Sequence, residues 1–433
     1  MRIMITKISN CALCIVHCAL YCALNRALCI VHCALCIEFA YAANIIYDPQ
    51  VKSLETVVNN DWLSPTVMRL GSDDVLHISF DELSHDYHRY IYKVEHCEAD
   101  WTPSEQLFES DWLEGFNGNP IDDYEPSVNT TVAYTHYWLQ IPNDRMRLRL
   151  SGNYRIHIYE EEDDREVISI GLMMTEESMP LTISASTNTD IDTNVSHQQV
   201  SMTLDYGSFR VINPTEQIRI VVMQNGREDN LKTGIKPTIV KSNGVEWQHC
   251  RSLIFDAGNE YHKYEVLDVS HATMGIDYIQ WNGSRFEAYP FMSEVRPNYL
   301  YDEDANGAFY IRNSDNWQNT TTCDYVWVIY RLKCPPLPYG DLIVDGRWTT
   351  DEEQSNYVMQ YDHQTGTYTG RILQKQGYYS YQYLWRHPDG TMHVAPSEGS
   401  FYQTENRYQA LAYFKGTGEN TWRLAAYRQI DLK

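Results

Sequence analysis

Three segments of the chain bring reactive side chains close together in sequence. In the first, His96, Cys97 and Glu98 follow one another in the order H-x-E, which is half of the zinc-deaminase signature. The other half, P-C-x-x-C, occurs nowhere in the 433 residues. A deaminase zinc centre is therefore not predicted here, and no other catalytic motif includes these residues.

The second segment has the cysteine spacing of a structural zinc site. Two C-x2-C pairs, Cys11 with Cys14 and Cys33 with Cys36, are separated by eighteen residues. However, residues 12–20 recur unchanged as residues 27–35, and Cys14 and Cys33 lie within these copies, so we attribute the spacing to the repeat. Both pairs also lie in an apolar run. An export segment is therefore favoured over a zinc site.

The third segment resembles the start of an EF-hand calcium loop. Asp302, Asp304 and Asn306 alternate as oxygen ligands and Gly307 stands at position six. Position twelve is Asn313 instead of the usual bidentate Glu. The segments on either side have the pattern of strands, whereas an EF-hand loop lies between two helices. We expect an acidic turn between two strands; calcium binding at this turn is left open.

The remaining chemistry is sparse. Hydrolase, metalloprotease, P-loop and dinucleotide-binding motifs are all absent from the sequence. We therefore predict no enzyme, no catalytic residues, no cofactor-binding residues and no metal ligands, and hence no cofactor and no small-molecule substrate. Trp348 and nearby tyrosines are suited to stacking on sugars, but strand aromatics more often pack in a core. The net charge of −24 disfavours nucleic acid and anionic membrane surfaces as partners.

Four cysteines follow the N-terminal segment: Cys97, Cys250, Cys323 and Cys334. Four cysteines allow three pairings, and a chain of this length does not depend on disulfides for a stable core. We expect mostly buried free thiols and leave open a Cys323–Cys334 bridge.

Strand-forming segments position all of these residues. The 33 tyrosines suit half-buried strand surfaces, and short alternating runs are separated by turn residues at intervals of about ten. The predicted fold class is all-β, with three consecutive β-sandwich domains of immunoglobulin or early-set type. An acidic hairpin tip is expected at residues 160–165, linkers at 182–196 and 314–322, and a turn at Asn225-Gly226. The predicted domains are an N-terminal β-sandwich at 44–178, a middle β domain at 190–313 and a C-terminal early-set-like β-sandwich at 323–433.

Residues 1–42 are expected to be a signal segment. Arg2 and Lys7 precede an apolar stretch, and Ala40-Tyr41-Ala42 fits the small-x-small rule for cleavage after Ala42. The internal repeat lengthens the segment, and Asn25-Arg26 divides it into halves too short to span a membrane. The true start codon and cleavage site are left open.

In their order along the chain, several segments resemble the plug protein family of the Bacteroidota type IX secretion system. The resemblance begins with residues 70–83, His96-Cys97-x-x-Asp100-Trp101 and residues 134–137 with Pro142-Asn143, and Ser151-Gly152-Asn153-Tyr154 follows. It continues through residues 258–261, 296–299 and 304–307, and ends with 377–383 and 398–406. It covers roughly residues 45–433.

This resemblance implies a non-enzymatic function in protein transport. A family member lies in the periplasm at the inner face of the outer membrane, and closes the pore of the β-barrel translocon when no cargo is engaged. The implied partner is that barrel. The alternative is a periplasmic carbohydrate-binding β-sandwich protein, because Gly346-Arg347-Trp348 and residues 377–383 resemble early-set sandwiches fused to glycan enzymes. A glycosidase, which needs two suitably spaced carboxylates, is a third hypothesis.

Overall fold

Period-two patterning produces strands throughout residues 44–433, the part of the chain that the computed structural model describes. The strand Tyr90–Cys97 is an example, because Tyr90, Tyr92 and Val94 are buried while the residues between them are partly exposed. The predicted all-β fold class with β-sandwich domains is confirmed. The predicted signal segment and its candidate zinc cysteines lie outside the described residues.

The first hydrophobic core is built from residues 46–174. Its elements are β1 Ile45–Ile46, β2 Val51–Val58, β3 Val67–Arg69, β4 Leu76–Glu82, β5 Tyr90–Cys97, α1 Glu109–Trp112, β6 Leu113–Gly115, β7 Asn119–Pro120, β8 Asp123–Pro126, β9 Thr135–Ile141, β10 Met146–Leu148, β11 Gly152–Glu160 and β12 Arg165–Thr175. One sheet has the order β1-β12-β11-β5-β7, with β3 parallel to β12, and another has the order β2-β4-β9-β8. Strands β6 and β10 form a separate pair.

The acidic segment 160–165 is the tip of the β11–β12 hairpin, as predicted. Glu160 lies opposite Arg165 in the antiparallel register, and Asp164 adopts a left-handed φ of 54°. The Arg165 guanidinium donates to carboxylate oxygens of Glu160 at 2.5 Å and of Asp48 at 2.7 Å. The contact with Asp48 ties the hairpin tip to the segment that connects β1 and β2.

A second group of strands follows the first core. Its elements are β13 Leu181–Ser186, β14 His197–Asp205, α2 Pro214–Gln217, β15 Ile218–Gln224, β16 Lys232–Thr233, β17 Ile239–Lys241, β18 Gly244–Trp247, a 3-10 turn Arg251–Leu253 and β19 Ile254–Asp256. The predicted turn at Asn225-Gly226 is confirmed, with φ of 57° and 70°. The linker predicted at 182–196 is partly wrong, because its first residues belong to β13. There Leu181 and Ile183 alternate into the core and outweigh the turn-forming composition.

A third group builds its own core from residues 264–395. Its elements are β20 His262–Val266, β21 Ile276–Trp281, β22 Phe286–Pro290, β23 Ser293–Glu294, β24 Phe309–Ile311, α3 Asn319–Thr322, β25 Tyr325–Lys333, β26 Asp341–Asp345, a 3-10 turn Gln354–Tyr357, β27 Gln360–Asp362, β28 Thr367–Lys375, β29 Gly377–Arg386 and β30 Met392–Val394. One sheet has the order β21-β22-β25-β28-β27, and β29 pairs with β20, β24, β26 and β30.

The last two strands, β31 Asn406–Phe414 and β32 Arg423–Leu432, return to the second group. Strand β31 pairs with β15 in full register from Ile218–Phe414 to Gln224–Tyr408, and its apolar side chains join the second core. The third group is therefore inserted between β19 and β31. The chain leaves and returns at one point, where Phe401 N donates to Gly258 O at 2.9 Å.

The strands thus do not follow the predicted boundaries 190–313 and 323–433. Strands β20 to β24 of the predicted middle domain pair within the third group, and β31 and β32 of the predicted C-terminal domain pair within the second. The predicted linker 314–322 lies inside the third group and contains α3. Periodicity identifies a strand but not its partner, and β15 and β31 are far apart in sequence. Composition shifts therefore could not reveal the insertion.

Candidate functional site

The His96-Cys97-Glu98 segment lies inside the first core instead of lining an open site. His96 is buried, with Nδ1 2.8 Å from Ser104 Oγ and Nε2 3.3 Å from the carbonyl of Ser151. Burial lowers the pKa of His96, which favours the neutral ring. Within residues 44–433, no group of three or more His, Cys, Asp or Glu side chains is arranged to hold a metal ion.

Other polar residues of this stretch contact the C-terminal strands. A carboxylate oxygen of Glu98 accepts from the backbone N–H of Trp422 at 3.1 Å. The Tyr413 hydroxyl donates to Asn153 Oδ1 at 2.8 Å, and both side chains are fully buried. These polar residues therefore join the first core to the second.

The acidic loop at 302–307 is a turn in which the carboxylates of Asp302 and Asp304 already have hydrogen-bond partners. Asp304 accepts from the backbone N–H groups of Tyr261 and Asn306, while Asp302 accepts from Lys263 Nζ at 2.6 Å. Burial raises the pKa of Asp304 to about 7, although the two backbone donors act in the opposite direction. Asn306 and Gly307 adopt left-handed φ values of 48° and 81°, which close the turn.

The aromatic residues that suggested sugar binding are parts of the third core. Trp348 is 9% exposed, stacks on Tyr330 and donates from Nε1 to the carbonyl of Ser380 at 3.1 Å. Tyr379, Tyr381 and Tyr383 of β29 are also buried. Rings this deeply buried are not available for stacking on a glycan, so the carbohydrate-binding alternative loses the residues on which it depended.

All four cysteines of the described range are free thiols. Cys97, Cys250 and Cys323 are buried, and Cys334 is partly buried. Cys323 and Cys334 lie beyond opposite ends of β25, whose nine residues span about 30 Å at the usual strand rise. That separation is far beyond disulfide reach, so the bridge left open by the sequence does not form.

A buried ion pair joins the first core to the third. Lys375 Nζ at the end of β28 lies 2.6 Å from Asp81 Oδ2 in β4. The two side chains are 2% and 1% exposed. Lys375 also donates to the carbonyl of Thr320 at 2.6 Å, and its ammonium lies 4.1 Å from the centre of the Tyr134 ring. The charge of Lys375 is thus compensated by groups from both cores.

Asp81 is saturated by three donors. His136 Nδ1 lies 2.7 Å from Oδ1, and the Tyr325 hydroxyl donates to Oδ2 at 2.6 Å while contacting Ser53 Oγ at 2.7 Å. Burial alone would raise the pKa of Asp81, but Lys375 and His136 outweigh burial and lower it below its ordinary value. We call Asp81, His136, Tyr325 and Lys375 the ionic cluster.

The surroundings of the ionic cluster extend the same junction. The Asp324 carboxylate accepts from the backbone N–H groups of Thr131 and Val132 at 2.8 and 3.1 Å. The Tyr134 hydroxyl donates to the carbonyl of Cys323 at 2.8 Å. A fully satisfied polar junction of this kind fixes one relative placement of two packed units. It offers no reactive group to a substrate.

Sequence reasoning missed the ionic cluster because the pattern of β4 does not reveal it. Leu76, Ile78 and Phe80 alternate into the core, so Asp81 falls on the opposite face, where a polar residue is expected, and only the structure shows that it is buried. A buried carboxylate requires a partner. Nothing in the sequence identifies that partner as Lys375, because the pairing depends on how two separate sheets pack.

A cleft of about 380 Å3 lies where all three cores meet. The first core contributes Trp62, the second contributes Gly226 and Gln409, and the third contributes Arg347 and Phe309. The Arg347 guanidinium donates from Nη2 to the carbonyl of Leu63 at 3.1 Å. Together with the ionic cluster, this cleft makes the junction of the cores the main candidate functional region.

These features define a class of protein: a multi-core β-sandwich protein whose cores are locked together by buried polar contacts. Residues 51–176 match the family described as Type 9 secretion system plug protein 1st domain. Through this domain, residues 51–176 belong to the plug protein family of the type IX secretion system. Membership implies a secretion-related, envelope-associated protein.

Two solved structures differ greatly in their similarity to the chain. A hypothetical protein from Parabacteroides merdae is 34% identical, has a TM-score of 0.87, and the match covers 91% of this chain and 100% of that chain. Dimeric latent PorU from Porphyromonas gingivalis is 9% identical with a TM-score of 0.14, over 88% of this chain and 34% of that chain, and carries no structural argument. No curated protein matches the chain. In residues 44–433, helices are too short and too polar to cross a membrane.

Proposed function

We propose that this protein is a periplasmic plug that closes the pore of the outer-membrane translocon barrel when no cargo is engaged. Its membership in the plug family is the observation that carries the proposal. A wide barrel encloses an aqueous channel, which leaks small molecules unless it is covered. The same family match supports a non-enzymatic structural role.

The junction of the cores supports a covering role. A plug resists deformation only if its domains keep one relative placement. A single connecting segment between two domains does not fix that placement. Here the first core is attached to the third by the Asp81–Lys375 pair and to the second by the Asn153–Tyr413 contact. The chain enters the third core after Gly258 and leaves it before Phe401, and these two adjacent connections attach the third core to the second. Each pair of cores is thus directly connected.

Capture of the protein from outer-membrane extracts tests the partner. A tagged chain extracted in mild detergent is expected to bring down an outer-membrane β-barrel protein in near-stoichiometric amount, identified by mass spectrometry. The Arg89→Ala variant, which alters only an exposed ion pair with Glu161, is a suitable control for non-specific effects. Recovery of the chain without any barrel protein would contradict the proposed partner.

Deletion of the gene tests the closing role. Cells without the plug are expected to admit small hydrophilic dyes or antibiotics through the open barrel, and re-expression is expected to restore the barrier. Codeletion of the captured barrel protein is expected to abolish the leak, because the pore itself is then absent. Unchanged permeability together with unchanged secretion would exclude the proposed function.

A further inference from the structure

The cleft at the junction of the three cores contains polar groups that lack partners. Gln409 is 1% exposed, yet its Oε1 accepts no hydrogen bond within the described chain. Asn306 Oδ1 and Arg347 Nε are also buried and unpartnered in residues 44–433. All three residues line the same cleft. Buried polar atoms are nearly always satisfied, so these three atoms mark the cleft as a candidate binding site.

Arg347 supplies an uncompensated positive charge. Among the described residues, no carboxylate lies within ion-pair distance of its guanidinium, which donates only to the carbonyl of Leu63. Arg407 donates to the same carbonyl at 2.9 Å but is neutralised by Asp431 at 2.8 Å. Burial and the nearby Arg407 lower the pKa of Arg347 to about 10, which reflects how poorly its charge is solvated. A carboxylate binds a guanidinium through two parallel hydrogen bonds and would correct this deficit.

The other charged residues of the cleft limit the ligand to one negative charge. The Arg227 and Asp229 side chains pair with each other at 2.5 Å, and Asp345 accepts from Gln382 at 2.9 Å. Glu55 and Glu228 also line the cleft. A phosphate or a polyacid would meet these carboxylates, whereas a single carboxylate is tolerated beside Arg347.

The walls of the cleft favour apolar side chains over sugar rings. Three flexible methionines contribute to them, together with Leu54 and Leu384: Met173, Met223 and Met392. Methionine and leucine adapt to branched apolar groups. Of the aromatic rings that also line the cleft, Tyr261 is 4% exposed and Trp62 packs against Tyr310 and Tyr378. The volume of about 380 Å3 is that of a small-ligand site at a domain interface.

From these observations we propose that the cleft binds the carboxyl terminus of a peptide. The terminal carboxylate pairs with Arg347, the last apolar side chain lies against the methionine wall, and backbone N–H groups donate to Gln409 Oε1 and Asn306 Oδ1. Binding links residues of all three cores, so an occupied cleft stabilises their mutual placement. Peptide binding in this cleft is a property beyond pore closure and does not depend on it.

Calorimetric titration of the purified protein tests the proposal with two probes. The probes are acetyl-alanyl-alanyl-leucine with a free carboxylate and the same tripeptide with a C-terminal amide. The free acid is expected to bind with a Kd of about 0.1–1 mM, and the amide about tenfold more weakly, because it lacks the charge-assisted pair. This comparison uses the unaltered protein, so it does not depend on any variant folding.

Two variants locate the site. Arg347→Gln is expected to weaken the acid about tenfold and to leave the amide unchanged, whereas Gln409→Leu is expected to weaken both probes. Arg371→Gln, an exposed position away from the cleft, is the matched control and should change neither affinity. Equal affinities for acid and amide, or no binding of the acid up to about 10 mM, would overturn the proposal. Binding of glucuronic acid in place of the tripeptide would also overturn it, in favour of a saccharide ligand.

Discussion

Lys375 Nζ lies 2.6 Å from Asp81 Oδ2 although 294 residues separate the two in sequence. The pair is almost fully buried and connects β28 of the third core with β4 of the first. Burying two charges is costly, so such a pair is more effective at fixing a unique arrangement than at increasing net stability. In a protein proposed to cover a pore, a fixed arrangement of domains is the property that matters.

Removing one partner of this pair should be strongly destabilising. Lys375→Met leaves Asp81 buried without its main counter-charge, and we expect the free energy of unfolding to fall by about 3–5 kcal/mol. The double variant Asp81→Asn with Lys375→Met should recover part of this loss, since neither charge is then left unpaired. Urea denaturation followed by tryptophan fluorescence measures both effects. Arg89→Ala should change stability by less than about 1 kcal/mol, because its ion pair is exposed. A comparably small change for Lys375→Met would show that the buried pair is not important for the junction.

Stability should depend on pH through Glu55. Burial raises the pKa of Glu55 to about 7, although Lys375 acts in the opposite direction. Because the folded pKa lies above the unfolded one, the folded state holds its proton longer, and stability falls as pH rises from about 4.5 to 7. Glu55→Gln should remove this fall, which is at most about 1.4 kcal/mol per pH unit.

Chemical denaturation at pH 5, 6, 7 and 8 compares this variant with the unaltered protein. Glu162→Gln, in the exposed tip of the β11–β12 hairpin, provides the control and should leave the pH dependence as it was. Asp81 has the opposite effect on the pH dependence of stability, because folding lowers its pKa. Its contribution is present above the unfolded pKa of about 3.9 and is lost only in stronger acid. Identical pH profiles for Glu55→Gln and the unaltered protein would contradict the assignment.

The inserted third core should be separable from the second. Because Gly258 and Phe401 are hydrogen-bonded neighbours, replacing residues 261–398 by a short glycine-serine linker should leave β15 and β31 paired. Truncation after residue 404 should instead expose the apolar face of β15 and unfold residues 179–257. Limited proteolysis with mass spectrometry distinguishes the two products. Equal protection of residues 179–257 from proteolysis in the truncated chain and in the linker variant would show that the pairing of β15 with β31 is dispensable.

Thiol reactivity should follow burial. Cys334 is partly buried, whereas Cys97, Cys250 and Cys323 are buried, and burial raises the pKa of Cys97 and Cys323 to about 12. Since the thiolate is the reactive form, an alkylating reagent should label Cys334 first and the others only on opening of the fold. Mass spectrometry over a time course reports the order. Early labelling of Cys323 would indicate that the junction beside Lys375 opens readily.

Local features of the fold were available from the sequence alone. Alternation of apolar and polar residues determined the strands, Asn225-Gly226 determined a left-handed turn, and the acidic run 160–165 determined a hairpin tip. Each of these features depends only on residues that are close in sequence. Side chains alternate between the two faces of a strand, and turn residues such as Asn and Gly tolerate left-handed backbone angles. The ordered motifs from residue 70 to residue 406 also sufficed to indicate the plug family.

Tertiary structure decided which strands share a core and which polar groups meet. It placed β31 beside β15, paired Asp81 with Lys375, buried Trp348 against Tyr330 and left Gln409 Oε1 in a cleft without a partner among residues 44–433. Each of these contacts joins residues that are distant in sequence or depends on the packing of whole sheets. The free energy of a polar side chain at such a site depends on how deeply it is buried and on which hydrogen-bond or ion-pair partners it meets. Neither is a property of the local sequence.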